Sequence, residues 1–156
     1  MDIMASPQFE QDSDILFISD RHRDFFYDTI KEMPVDDVYH RALIYCLGIN
    51  NDTRNHLHDI YDLEEDTIKT PCLYSAWQTS GSMKVTRMAF NLYSNCAPSV
   101  NENDTCEQKE AEYARYLPDE LFCCSYAPFF WQAIKIRYPA ETTYNAELHG
   151  FLRSLD

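Results

Sequence analysis

Glycine is scarce in this sequence, with 3 residues in a chain of 156. Average usage of about 7% would give roughly 11. This scarcity excludes the glycine-rich loops that cradle nucleotide phosphates, because such loops need several closely spaced glycines. It also argues against architectures rich in β-hairpins, whose tight turns favour glycine. Neither kind of fold is expected here.

Long apolar runs are also missing. The uninterrupted ones span only a few residues, far short of the ~20 that a membrane-spanning helix needs. The first four residues, Met1-Asp2-Ile3-Met4, show no basic segment followed by an apolar stretch, so no secretory signal is visible. We therefore expect a cytoplasmic protein that has no membrane association. We expect reduced thiols at all six cysteines, which are Cys46, Cys72, Cys96, Cys106, Cys123 and Cys124.

Positive charge is in short supply, since 13 Lys and Arg stand against 26 Asp and Glu and give a net charge of −13. Direct binding to nucleic acid is not expected, because contacts with phosphates require clustered cations. The charge is uneven along the chain. Residues 70–95 contain Lys84 and Arg87 and no acid, whereas residues 62–69 sum to −3 and residues 96–127 to −5. A mildly basic segment thus lies between two acidic ones.

The pattern of apolar residues predicts a mainly α protein with a single compact multi-helix domain over residues 19–139. Residues 1–18 are predicted to be a loosely ordered acidic arm, and residues 140–156 a tail with a terminal helix from Asn145 to Leu155. The stretch Phe129–Tyr138 is apolar on most faces, so we expect it to be the central helix, near the C-terminus. It should pack against helices at 36–47 and 83–93.

Capping residues and prolines predict where the other helices begin and end. Ser19 should cap a helix that runs to about Met33, and Asp36 or Asp37 should cap the next, with Gly48 at the C′ position just after its end. The remaining expectations are an acidic loop at 62–71, short helices at 53–61 and 73–78, a helix at 105–116, and helices that start at Pro118 and Pro128.

The six residues Trp77-Gln78-Thr79-Ser80-Gly81-Ser82 are the most distinctive segment. They predict a corner between two helices, in which Gly81 takes a special backbone conformation and Ser80 or Ser82 caps the following helix. Alternatively, this corner binds a small anion or a nucleotide. The candidate anion-binding residues are Ser80, Ser82, Lys84 and Arg87.

The helix after this corner raises a third hypothesis, a helix-turn-helix regulator. It would present Lys84, Thr86, Arg87 and Asn91 to a DNA groove. The acidity of the rest of the chain argues against this interpretation, since most contacts with DNA are made to phosphates.

No pattern of catalytic or metal-binding residues is recognisable. His56 and His58 are two residues apart and would point in different directions on a helix, and the cysteines lack zinc-ligand spacing. We interpret His40 as a surface residue or a satisfied hydrogen-bonding partner rather than a base. We therefore predict no metal, no cofactor and no enzymatic activity.

The acidic segments are either surfaces that promote solubility or a mimic of nucleic-acid phosphates that binds a basic groove on a protein partner. Eleven tyrosines suit an interaction surface. The candidate partner-binding residues are Asp62, Glu64, Glu65, Asp66, Glu102, Asp104, Glu107, Glu110 and Glu112.

The chain resembles an uncharacterised family of short "domain of unknown function" proteins from gut Gram-positive bacteria, their phages and mobile elements. The specific part of the resemblance is the segment Trp77–Ser82. The supporting segments are Val38-Tyr39-His40 with Ala42-Leu43, Leu47-Gly48-Ile49, Asp52-Thr53-Arg54, Arg87–Tyr93 and Tyr126–Pro139. The resemblance implies a phage or mobile-element setting and no particular reaction. Together with the acidic segments, it predicts a non-enzymatic protein that inhibits a nucleic-acid-acting host defence protein.

Overall fold

The computed structural model describes residues 14–155. Within this part the chain folds into ten α-helices and one small antiparallel hairpin, which confirms the prediction of a mainly helical single domain. The helices are α1 (Asp20–Ile30), α2 (Val38–Ile49), α3 (Asn51–Asn55), α4 (Leu57–Ile60), α5 (Ser80–Ser94), α6 (Cys106–Ala114), α7 (Pro118–Phe122), α8 (Ala127–Arg137), α9 (Pro139–Thr142) and α10 (Ala146–Arg153). The hairpin strands are β1 (Tyr61–Asp62) and β2 (Thr67–Ile68), followed by a 3-10 helix at Thr70–Tyr74.

Helix α2 lies at the centre of the fold. Nine of its 12 residues are buried, as expected for a helix that is apolar on almost every side. Helices α1, α5 and α8 pack against it. The expectation that Phe129–Tyr138 forms the central helix is therefore wrong. Helix α8 occupies this stretch and contacts α2 and α5 as predicted, but it leaves Trp131 half exposed.

Gly48 lets α1 and α2 approach each other closely. It lies inside α2 rather than after its end, and none of the three glycines, all of which are described, has a positive φ. A Cβ atom at position 48 would lie 2.5 Å from Cδ2 of His22 and 3.0 Å from Cδ1 of Phe25. The lack of a side chain, not backbone freedom, therefore explains the glycine, and its predicted C′ position after the end of the helix is wrong.

The predicted N-terminal caps of the first two helices are confirmed. The Ser19 hydroxyl accepts a hydrogen bond from the backbone N–H of His22 at 3.1 Å, and Asp37 does the same for His40 at 2.9 Å. Pro118 and Pro128 lie in the first turns of α7 and α8, where a missing N–H costs nothing.

The corner before α5 differs from the prediction. The helix begins at Ser80, so residues 79–82 are not a separate turn. Thr79 caps it, and the Ser82 hydroxyl oxygen accepts a hydrogen bond from the Thr79 backbone N–H at 2.7 Å, which completes a capping box. Gly81 lies in the first turn of the helix with no positive φ. The special conformation predicted for Gly81 is therefore wrong.

The segment predicted as an acidic loop contains the hairpin. Tyr61 pairs with Ile68 and Asp62 with Thr67. The turn between the strands ends at Asp66, whose φ of 52° lies in the left-handed region. Aspartate tolerates this region better than most residues, because its short side chain can form local hydrogen bonds.

Residues 15–18 of the predicted arm contact the domain. The backbone N–H of Leu16 donates to Gln132 Oε1 at 3.2 Å, and the rings of Phe17 and Phe26 lie 5.8 Å apart. The other described residue of the arm, Asp14, lines a cleft beside α9. Residues 1–13 of the predicted arm lie outside the described residues. The predicted terminal helix is present as α10.

No helix within residues 14–155 is long and apolar enough to cross a membrane.

Candidate functional site

A polar cluster inside the fold is centred on His40, whose exposed fraction is 5%. Its Nδ1 atom lies 2.8 Å from Oδ1 of Asp37, and its Nε2 atom lies 2.8 Å from Oδ1 of Asp66. An ionised carboxylate can only accept hydrogen bonds. With both carboxylates ionised, both ring nitrogens donate, so these contacts favour the imidazolium form of His40.

The protonation of this cluster follows from its hydrogen bonds. Burial alone would lower the pKa of His40, but the bonds to Asp66 and Asp37 outweigh it and raise the pKa above its ordinary value. Burial opposes ionisation of Asp66, yet hydrogen bonds from Tyr61, His40 and Tyr93 lower the pKa of its carboxyl. Burial, reinforced by the bond to Asp66, raises the pKa of Tyr93 to about 12.

The His40 cluster joins three elements: the N-terminus of α2, the hairpin, and the C-terminal end of α5. A general base needs an unprotonated nitrogen that faces its substrate. His40 offers none, since both of its nitrogens donate to carboxylates. The contacts of His40 therefore agree with its interpretation as a satisfied hydrogen-bonding partner. Within residues 14–155, no group of three or more His, Cys, Asp or Glu side chains is arranged to hold a metal ion.

The four candidate anion-binding residues do not form one open site. Ser80 is exposed, but Ser82 is fully buried and its hydroxyl donates to Gln78 Oε1 at 2.5 Å. The Lys84 ammonium donates to the backbone carbonyl of Glu120.

Arg87 forms an ion pair between α5 and α6. Its Nε and Nη2 atoms lie 2.6 Å and 3.2 Å from the two carboxylate oxygens of Glu112, and each side chain is only 11% exposed. Thr86 is fully buried, and Asn91 donates to the backbone carbonyl of Cys96 at 2.9 Å. Side chains engaged in this way are not displayed for reading a DNA groove.

The structure divides the nine candidate partner-binding carboxylates into two groups. Four are engaged: Asp62 with Lys69, Asp66 in the His40 cluster, Asp104 with the backbone N–H of Asn101, and Glu112 with Arg87. The other five are exposed, and no cationic side chain of the described chain lies within salt-bridge distance of them. These open carboxylates are Glu64, Glu65, Glu102, Glu107 and Glu110.

Two further exposed acids, Asp119 and Glu120 in the first turn of α7, were not singled out from the sequence. The sequence contains a signal for these two acids, because acidic residues directly after a proline are typical of a helix N-terminus. Their negative charge interacts favourably with the helix dipole there. With these two, the open carboxylates number seven.

The acidic segments are all anchored to α5. The Tyr93 hydroxyl donates to Asp66 in the hairpin, Arg87 pairs with Glu112 in α6, and Lys84 donates to the carbonyl of Glu120 in α7. Positions 84 and 93 lie about 14 Å apart along a helix that rises 1.5 Å per residue. Apart from Glu102, which lies in the loop before α6, the open carboxylates are therefore carried by segments fixed to one helix.

Comparison with protein families assigns the domain. The model of a family of unknown function, DUF6075, matches residues 12–149. The chain belongs to this family. The prediction of an uncharacterised domain family is thereby confirmed. No curated protein matches the chain, and no solved structure matches it. The DUF6075 match covers the His40 cluster, the corner at 77–82 and every open carboxylate, so all of them are part of the family's domain.

Proposed function

We propose that the protein is a non-enzymatic acidic binding protein. Its open carboxylates bind the basic nucleic-acid groove of a protein partner and so inhibit that partner. The partner class is a nucleic-acid-acting defence protein of a bacterial host, and the setting is a phage or a mobile element. The setting rests on the resemblance described above, and the mode of binding rests on the charges.

The observation that carries this proposal is the division of the acids. Carboxylates that stabilise the fold are paired with His40, Lys69 or Arg87. No cationic side chain of residues 14–155 pairs with the open carboxylates, so their charge is available to a partner. A concentration of one sign of charge accelerates association with an oppositely charged groove and suppresses the wrong partners.

A protein partner fits this charge better than a nucleic acid does. A phosphate backbone would be repelled by a chain with a net charge of −13. The contacts of Arg87 with Glu112, and of Ser82 with Gln78, likewise give no support to an anion-binding module or to a helix-turn-helix regulator. We therefore keep neither alternative as a second function.

The test is complex formation with purified defence nucleases, measured one by one at low and at high salt. The full chain should form a complex with a nuclease at low salt, block its binding to DNA, and lose the complex as salt is raised. A variant with Glu64, Glu65, Glu107 and Glu110 changed to Gln should bind at least tenfold more weakly.

The matched control removes four acids from another surface. Asp20, Asp24, Asp28 and Glu32 are exposed residues on or just after α1. Changing the three aspartates to Asn and Glu32 to Gln alters the net charge equally, and this variant should retain the complex. Equal weakening by both variants would show that only net charge matters and would contradict the proposed surface. Absence of any complex at low salt would refute the function.

A further inference from the structure

Helix α10 exposes an apolar face that no described residue covers. Leu148, Phe151 and Leu152 of α10, together with Leu155 in the turn that follows the helix, have the spacing i, i+3, i+4, i+7, which is that of one side of a helix. Their exposed fractions are 54%, 60%, 50% and 67%. We call these four residues the α10 face. Isolated apolar side chains on a surface are ordinary, but four large ones in a single stripe mark an interaction site.

The length of α10 indicates that this face is covered by something. The helix has eight residues, whereas isolated helices shorter than about 12–15 residues are marginal in water. Its local support is a cap by Asn145, which accepts from the Leu148 backbone N–H at 3.0 Å, and a stacked contact between Tyr144 and His149. A cap contributes only about 1 kcal/mol, so burial of the α10 face is the missing stabilisation.

The charge distribution points to a second copy of the chain. Residues 128–156 sum to zero, so the whole net charge of −13 lies in residues 1–127. Two copies can meet through the C-terminal part without bringing their acidic surfaces together. A lipid surface is disfavoured, because membrane-bound amphipathic helices carry several cations on the polar face, whereas α10 has one Glu and one Arg.

We propose that two copies of the chain associate through their α10 faces. The stripe has the spacing of a two-helix seam, in which the apolar side chains of each helix fill gaps on the other. At roughly 100 Å² of remaining apolar surface per side chain, two faces bury on the order of 800 Å². Stable interfaces bury at least about 1,200 Å². The dimer is therefore weak and depends on concentration.

Sedimentation velocity on the full chain, from micromolar to millimolar concentration, tests this proposal. The average sedimentation coefficient should rise with concentration. Added salt should strengthen the association, because it screens the repulsion between two acidic copies and does not weaken an apolar contact. Added salt is expected to weaken the proposed partner complex, which is the opposite effect. The dimer proposal and the proposed function, on which it does not rest, can therefore fail independently.

The decisive variant changes Leu148 and Leu152 to Glu and should remain monomeric at all concentrations. The matched control changes Tyr113 and Leu117 to Glu, since these exposed apolar side chains lie on and after α6, away from α10. The control should associate like the unchanged chain, and at micromolar concentration, where the unchanged chain is monomeric, both variants should keep its melting temperature. A monomeric unchanged chain, or equal loss of association in both variants, overturns the proposal.

Two other outcomes would overturn the dimer proposal, because each would show that something else covers the α10 face. Association that appears only when residues 1–13 are deleted would show that this segment covers the α10 face. Binding to phosphatidylglycerol vesicles without self-association would assign the face to lipid.

Discussion

The Nε2 atom of His40 donates a hydrogen bond to Oδ1 of Asp66 across 2.8 Å, and this contact connects the central helix to the acidic hairpin. The same carboxylate accepts from the Tyr93 hydroxyl at the end of α5. Glu64 and Glu65 precede Asp66 in the hairpin turn. A contact that fixes Asp66 therefore also fixes two of the open carboxylates relative to the helical core.

Asp66→Asn should destabilise the fold by about 1–2 kcal/mol, because it removes the charge that faces His40 and keeps only part of the hydrogen bonding. Asparagine adopts a positive φ at least as readily as aspartate, so the backbone of the turn is not strained. Urea unfolding measures the free energy, and NMR titration should show that the pKa of His40 falls. Glu65→Gln, at an exposed neighbour, should change the stability by less than about 0.5 kcal/mol. Equal stability of the two variants would contradict a stabilising role for this contact.

Stability should fall on both sides of neutral pH, through two different histidines. His22 is fully buried, its Nε2 donates to the Tyr45 carbonyl at 2.7 Å, and burial lowers its pKa from 6.5 to about 4. The neutral ring is favoured in the folded state, so its contribution is complete above pH 6.5 and is lost as the pH falls toward 4. Between about pH 7 and about pH 4.5 this loss amounts to about 2–3 kcal/mol. In urea unfolding at a series of pH values, His22→Gln should reduce this fall in the free energy of unfolding. His58→Gln, at an exposed histidine, should not.

The opposite sign applies to His40, because its pKa is raised in the folded state. Its contribution is complete below the ordinary value of 6.5 and is lost as the pH rises through the raised pKa. Urea unfolding at a series of pH values above 6.5 should show this decline in the unchanged chain, and His40→Gln should remove it. An equal decline in the His40→Gln variant would show that other groups cause the loss of stability.

Local features of the chain were predictable, whereas contacts between distant segments were not. Ser19 and Asp37 were found as caps because a capping side chain bonds to backbone within its own first turn. The central helix is predicted wrongly from the sequence, because α2 and α8 are both rich in apolar residues. Only the packing of the folded chain decides which of the two helices is surrounded by the others.

The candidate site shows the same limit. Glu110 and Glu112 look equivalent in the sequence, yet one is open and the other is buried against Arg87, which lies 25 residues away. His40 and Asp66 are separated by 26 residues, and Asp66 contacts His40 from a left-handed position in the hairpin turn. No local pattern reports such pairings.

Breaking the pair between Arg87 and Glu112 should detach α6 from α5. Glu112→Gln should cost about 2–3 kcal/mol, between the small effect of an exposed ion pair and the larger effect of a fully buried one. Chemical denaturation measures this cost, and Glu110→Gln serves as the control with an exposed side chain on the same helix. In a double-mutant cycle with Arg87→Gln, the coupling energy should exceed about 1 kcal/mol. Additive effects of the two changes would show that the pair contributes nothing to stability.

Gly48→Ala tests whether the close approach of α1 and α2 depends on the missing side chain. The added Cβ would lie 2.5 Å from a ring atom of His22, and that ring is held by its bond to the Tyr45 carbonyl. Overpacking of this kind destabilises a protein by about 1–3 kcal/mol. Gly150→Ala is the matched control, because nothing lies within 4 Å of its Cβ position. At such an uncrowded helical position, replacing glycine by alanine should stabilise the helix by up to about 1 kcal/mol. Opposite shifts of the thermal midpoint are therefore expected. A Gly48→Ala variant as stable as the unchanged chain would mean that α1 moves away from α2 at little cost.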